Sequence, residues 1–400
     1  MRNRFRQTCA TILAFLLFIS VYFHPHMTLA ESSEDGMYDT YDNIQVWDQA
    51  GSGNGLWSLM TSSAYHNPGL YDREAIVHSE TGKQLAEAIV FADTFRGTTD
   101  PALIEALNSM GLTYEVNTTG GQRWLLFAPQ QTDVALLPVV QVFTPASLYG
   151  MSMYFRLIQL AAQGDFLLVL LGIENGNLVS LVPEITDLLA ERYPVDLSRV
   201  YSVGHSHYGA FAQQLAREYP DRIAGIAQLS GYFGCMNRAS QESSVEAWHR
   251  MDMQVIGFVG YAEMNSPVPM NTDAPSLETI PERYQQLFPM RKADRIKTWQ
   301  DRLYELGCEV LTYEEIEAAA DGTAVEKVLG FPVAHDEIIQ SGGLTYYIGD
   351  LVNTQGNSHA RFVVIDNFPH AASLYELELT WEYLRRFARN TETGACEELY

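Results

Sequence analysis

The chain has 400 residues, of which 47% are hydrophobic and 12% aromatic; this excludes a disordered polypeptide and suffices for a large α/β domain with a further region beside it. Its formal charge is -24 at pH 7, from 49 acidic and 25 basic side chains. That balance argues against a nucleic-acid partner, because phosphate binding needs clustered Lys and Arg.

Arg2, Arg4 and Arg6 precede an apolar run from Thr11 to Phe23, and Thr28-Leu29-Ala30 stands just before Glu31. The pattern predicts a secretory signal peptide over residues 1–30 and a secreted, extracellular product. An uncleaved signal anchor is the alternative. The apolar run falls short of the roughly 20 residues of a membrane-spanning helix, so no stable membrane insertion is expected after cleavage. Loss of the three arginines moves the charge to -27 and leaves Cys235, Cys308 and Cys396. Those cysteines allow one disulfide within a monomer, its pairing open.

Residues 31–121 read as an N-terminal accessory region. Residues 31–56 are rich in Gly, Ser, Asp and Tyr without periodicity; beyond them a short strand is predicted over Glu74–His78 and helices over Gly82–Phe95 and Pro101–Met110. From residue 122 to 390 strands and helices alternate. Strands are predicted at Arg123–Ala128, Pro138–Phe143, Phe166–Leu171, Val200–Val203, Ile223–Leu229, Gln254–Val259 and Arg361–Ile365. Helices are predicted at Ser152–Gln163, Leu178–Tyr193, Ala210–Tyr219, Arg291–Leu306 and Leu374–Arg389. Several of the strands are continuously apolar, as in a parallel sheet buried on both faces. The fold class is therefore α/β, a doubly wound and mostly parallel sheet. Residues 265–284 and 313–350 break the rhythm and read as excursions at the sheet's edge, and residues 391–400 as a C-terminal tail.

Between a predicted strand and a predicted helix lies Gly204-His205-Ser206-His207-Tyr208-Gly209. A serine at such a junction sits on a strained turn, its hydroxyl raised above the sheet and the next backbone N–H facing a substrate carbonyl. Small residues are expected two places before and two after it. Gly204 meets that expectation, whereas Tyr208 does not and the second glycine is displaced to Gly209.

The segment Val195-Asp196-Leu197-Ser198-Arg199-Val200-Tyr201-Ser202-Val203-Gly204-His205-Ser206, with Pro220-Asp221-Arg222-Ile223-Ala224 and Leu229-Ser230-Gly231 after it, resembles the polyhydroxybutyrate depolymerase and feruloyl esterase family of α/β-hydrolases. The likeness runs over roughly residues 122 to 390. It implies an α/β-hydrolase fold and a serine carboxylic ester hydrolase with Ser206 as nucleophile. It places Glu263, after Gly257 to Ala262, at the acid position, and His370, after Phe362 to Pro369, at that of the base. Trp299 to Cys308 and Thr380 to Phe387 resemble further family segments. Asp366 is the rival acid.

In such a triad the histidine takes the serine proton and the carboxylate fixes its tautomer. An imidazole near its ordinary pKa makes activity fall as pH drops through neutrality. The oxyanion would be bound by the backbone N–H groups of His207 and Ala146. The latter follows Thr144-Pro145, where the family has His-Gly and where proline offers no N–H. These departures motivate the alternative of a weak or inactive hydrolase-like protein that binds a carbohydrate or partner in the cleft. His205 and His207 form an H-x-H pair without an adjacent acidic or cysteine ligand, and neither a metal nor a cofactor is expected. Tyr232, Phe233, Tyr261 and Trp299 could meet a substrate, although aromatic residues more often build a core. The expected partner is a small or polymeric ester.

Overall fold

A computed structural model describes residues 72–172, 178–230, 254–261, 268–272, 293, 296–297, 299–300, 303–304, 308–352, 358–390 and 392–399. Ten strands among them form one sheet: β1 (Leu112–Thr119), β2 (Gln122–Pro129), β3 (Leu137–Phe143), β4 (Leu167–Leu171), β5 (Val195–His205), β6 (Gly225–Leu229), β7 (Gln254–Gly260), β8 (His335–Ser341), β9 (Leu344–Val352) and β10 (Ser358–Ile365). Their order is β1-β2-β4-β3-β5-β6-β7-β10-β9-β8. From β4 through β10 neighbouring strands are parallel, and the pairs on either flank are antiparallel.

The apolar runs of β3, β4, β6 and β7 are buried along their whole length, because helices cover both faces of the sheet. Alternate residues serve alternate faces. Val140, Val142, Leu168, Leu170, Tyr201 and Val203 face one core; Val139, Leu167, Val169, Val200 and Ile226 face the other. The first core is closed by α2 (Glu80–Asp93), α4 (Leu148–Met153), α5 (Phe155–Ala162) and α10 (Leu374–Leu384). The second is closed by α6 (Val182–Arg192), α7 (His207–Glu218), α8 (Tyr313–Ala318) and α9 (Ala324–Leu329), with Trp299 packed on Phe331 and Phe362. Trp299 is thus a core residue; Tyr232 and Phe233 lie outside the described residues.

Several elements differ from the sequence expectation. Residues 74–78 are helical, forming α1 (Arg73–His78), because the Asp72 side chain caps the Ala75 N–H and Glu74 lies in the first turn. The segment expected as one helix from Ser152 is two, α4 and α5, divided at Tyr154, whose φ of -108° and ψ of 24° leave the helical region. After α3 (Pro101–Ser109), β1 joins the main sheet although it lies before residue 122. Within 313–350, expected as an excursion at the sheet's edge, lie α8, α9 and the β8–β9 hairpin, and the hairpin lengthens the sheet beyond β10. The last helix ends at Leu384, and β11 (Phe387–Arg389) then pairs with β12 (Cys396–Glu398) from the tail. Cys308 and Cys396 form no disulfide with each other, and Cys235 lies outside the described residues. No helix among the described residues is long and apolar enough to cross a membrane.

Candidate active site

β5 ends at His205 and α7 begins at His207, so the chain turns on Ser206 alone. Ser206 has φ 54° and ψ -122°, a region that L residues adopt only under constraint from their surroundings. The constraint is visible. The Ser206 N–H donates to Leu229 O at 2.8 Å, and Ser206 O accepts from the Gly209 N–H at 3.1 Å and from Gln228 Nε2 at 3.0 Å. Gln228 is itself buried and accepts from Gln213 Nε2.

Gly204 explains why the turn can be so tight. A Cβ there would lie 2.4 Å from the C and O atoms of Tyr208 and 2.6 Å from Gly209 N, all of them backbone. The close approach is therefore made by the main chain at position 208. That corrects the expectation of a small side chain there: the Tyr208 ring leaves the contact and lies half-buried, 6.3 Å from the His207 ring. Gly209 meets a separate demand, since a Cβ on it would fall within 2.2 Å of Gln228 Nε2.

His370 reaches Ser206 from the loop after β10, Nε2 to Oγ 2.8 Å. Three features shape that loop. Asn367 occupies the left-handed region at φ 52°. Gly260, at the end of β7, lies so close that a Cβ would come within 2.2 Å of Phe368 O. The Ser230 hydroxyl donates to Ala371 O from a residue itself at φ 47°. Ser206 is half-buried, whereas His370 is 5% exposed. Burial pushes the His370 imidazole down to about 3.

Of the two expected acids, Glu263 lies outside the described residues. Asp366 is exposed, and its carboxylate accepts the Asn367 N–H at 2.9 Å instead of meeting His370. The H-x-H pair is split by the turn. His205 is buried with its ring 5.0 Å from that of His370, and His207 is exposed with its ring 5.2 Å from Phe211. Burial first, and then the His370 ring, hold His205 well below an ordinary imidazole. No group of three or more His, Cys, Asp or Glu side chains that could hold a metal occurs among the described residues.

β3 runs beside β5 in parallel, with Phe143 opposite Gly204, and Thr144-Pro145-Ala146 follows, with Ala146 lying against Gly172 just after β4. The Thr144 N–H is taken by Leu171 O at 3.2 Å. Ala146 is buried, and its N–H has no acceptor among the described residues; the same holds for His207, which opens α7. Buried N–H groups without acceptors are rare in folded proteins. The Ala146 N–H is such a group, and the His207 N–H, at the start of a helix and beside Ser206 in sequence, is a further donor.

Strand order, a strained serine between β5 and α7, and a histidine after the last parallel strand together define the architecture. This is the α/β-hydrolase fold. No family model matches the sequence, and no curated protein matches it. Among solved structures, the chain is similar to an acetyl xylan esterase from Aspergillus awamori (12% identity, 68% of this chain and 99% of that one, TM-score 0.41). It is also similar to an S-formylglutathione hydrolase from Staphylococcus aureus (14% identity, 37% and 76%, TM-score 0.30) and to a thermostable esterase (15% identity, 42% and 49%, TM-score 0.29). The site described above rests on this chain's own geometry.

Sequence reasoning singled out Ser206, His207, Ala146 and His370, and the structure brings Ser206 and His370 into contact. It passed over Gln228, Gly260 and Asn367, which fix the serine turn and the histidine loop. A signal for the loop existed in Asn367-Phe368-Pro369, a left-handed-tolerant residue before a proline turn.

Proposed function

We propose that the protein is a secreted serine carboxylic ester hydrolase acting by acyl transfer through Ser206, His370 and Glu263. The observation that carries this reading is the 2.8 Å contact between Ser206 Oγ and His370 Nε2, made by a serine held at φ 54°. A neutral imidazole with its lone pair on Nε2 accepts the hydroxyl proton as Oγ bonds to the ester carbonyl carbon. The carbonyl oxygen becomes an oxyanion, met by the N–H groups of His207 and Ala146. Collapse expels the alcohol, which takes the proton from His370, and water then releases the acid by the same route. Glu263 orients the imidazole and offsets its transient charge.

The sequence resemblance supports substrates among esters of plant-wall polysaccharides, hydroxyalkanoate polyesters or small acyl compounds. The signal-peptide pattern of residues 1–30 supports export. The test is labelling with a fluorophosphonate, together with hydrolysis of short p-nitrophenyl esters. The wild-type chain is expected to label at Ser206 and to turn over the esters, and Ser206→Ala to do neither. Folded wild-type protein that neither labels nor hydrolyses sinks the reading in favour of a binding protein.

A further inference from the structure

Helices α1 and α2 lie outside the segment that resembles known esterases, yet they are tied to the loop that carries His370. Asn367 makes the tie. Its Oδ1 accepts the Asp72 N–H and its Nδ2 donates to Asp72 O at 3.4 Å, so one side-chain amide pairs with both backbone groups of a residue 295 positions away. Asp72 is fixed in turn as the cap of α1, through the Ala75 N–H at 3.0 Å.

The tie does not stand alone. At the start of α2 the Thr81 N–H donates to Gly342 O at 2.9 Å, on the tip of the β8–β9 hairpin, and the Asp366 N–H donates to Thr345 O at 2.9 Å on the same hairpin. Tyr346, one residue further along β9, meets Ser373 Oγ at 3.0 Å, and Ser373 caps α10 just past His370. The loop from Asp366 to Ser373 is thereby anchored at both ends. The same α2 packs against α4, the helix that follows Ala146, and Phe91 of α2 lies 4.8 Å from Phe155. One helical unit thus touches both the base side and the oxyanion side of Ser206.

We propose that α1 and α2 brace the active site and that Asn367 is a positioning residue, holding His370 at hydrogen-bond distance from Ser206 through Asp72. The inference rests on the esterase reading for its rate measurements. Its physical basis is that a displacement of about 1 Å between base and nucleophile can cost ~10²-fold in rate. Asn367 suits the task because asparagine tolerates the left-handed backbone the loop requires while offering a donor and an acceptor.

The test uses Asn367→Gly in the full chain, which keeps the left-handed backbone and removes both side-chain bonds. Expected are a fall of about tenfold in kcat for p-nitrophenyl acetate and in the rate of fluorophosphonate labelling, with KM within about twofold. Asn367→Asp, which keeps the acceptor for the Asp72 N–H, is expected to recover most of the loss. Faster hydrogen exchange over residues 366–373 and an upward shift of the His370 titration by NMR accompany the fall, since a loosened loop rehydrates the ring. Should Asn367→Gly not fold, Asn367→Ser, too short to reach both Asp72 groups, carries the same expectations. Unchanged kcat, exchange and His370 titration in the folded variant overturn the proposal. If the wild-type chain is itself inert, the esterase reading fails, and exchange and titration alone decide the brace.

Discussion

Gly204→Ala is the sharpest test of the serine turn, because the added methyl has nowhere to go. The new Cβ would stand 2.4 Å from the C and O atoms of Tyr208 and 2.6 Å from Gly209 N. Carbon atoms rest at about 3.5–4 Å, so the first turn of α7 must withdraw by roughly 1 Å. Side-chain rotation cannot relieve the overlap, since all three atoms are main chain. Overpacking of this kind costs about 1–3 kcal/mol. The displaced turn also carries the His207 N–H, and Ser206 Oγ moves relative to His370; a shift of about 1 Å corresponds to ~10²-fold in rate. The expected result is a folded protein with kcat/KM for p-nitrophenyl acetate about 100-fold lower and urea-unfolding stability about 1–3 kcal/mol lower. Gly209→Ala, whose Cβ would have the Gln228 side chain as its nearest neighbour, is expected to lose less activity. Wild-type kcat/KM in Gly204→Ala would refute the claim that backbone contact at Tyr208 sets the turn.

Two further outcomes follow from the buried imidazoles. With His370 at about 3, its base form persists in acid, and kcat/KM is expected to stay flat from pH 8 to about pH 4.5. An ordinary imidazole of pKa about 6.5 would lose roughly 30-fold by pH 5, and such a limb would contradict the burial argument. Stability behaves differently. The folded pKa lies below the unfolded value, so below about pH 6.5 the unfolded chain takes up a proton that the folded chain refuses, and stability falls as pH drops from there towards the folded pKa. Each such histidine contributes about 1.4 kcal/mol per pH unit over that window. Replacing His370 by Gln should therefore flatten the unfolding free energy against pH between 6 and 4 by about that slope; parallel lines for variant and wild type would disprove it.

What the sequence disclosed divides along a physical line. The parallel strands were legible because burial on both faces leaves continuous apolar runs, as in Leu167–Leu171 and Gln254–Gly260. Strand β8 was not, since His335–Ser341 is an edge strand with an almost wholly exposed pattern and no apolar face to read. Helix α1 was mistaken for a strand because six residues carry too little periodicity, and its decisive feature is one cap bond from Asp72. Ser206 and His370 could be found from their chemistry and their neighbours. The roles of Gln228, Gly260 and Asn367 could not, although Asn367-Phe368-Pro369 signals a turn, because each acts through a contact distant in sequence: Gln228 on Ser206 O, Gly260 against Phe368, Asn367 on Asp72.

The same distinction resolves the two departures that counted against catalysis in the sequence. Tyr208 breaks the expected spacing of small residues only if the side chain at that position meets the strand, and here the main chain meets Gly204 instead. The bulk of the ring is carried away from the turn, and the requirement for smallness falls on Gly204 and Gly209 alone. Pro145 removes one N–H from the oxyanion loop, but the groups on either side of it have different fates. Thr144 gives its N–H to Leu171 O, while the N–H of the buried Ala146 meets no acceptor among the described residues. A proline in the loop offers no N–H and stiffens the chain between a strand end and the Ser147 cap of α4. Among the described residues the N–H groups of Ala146 and His207 meet no acceptor, and Ser206 Oγ lies 2.8 Å from His370 Nε2. The unusual residues of this elbow therefore alter its surroundings and leave the Ser206–His370 contact in place.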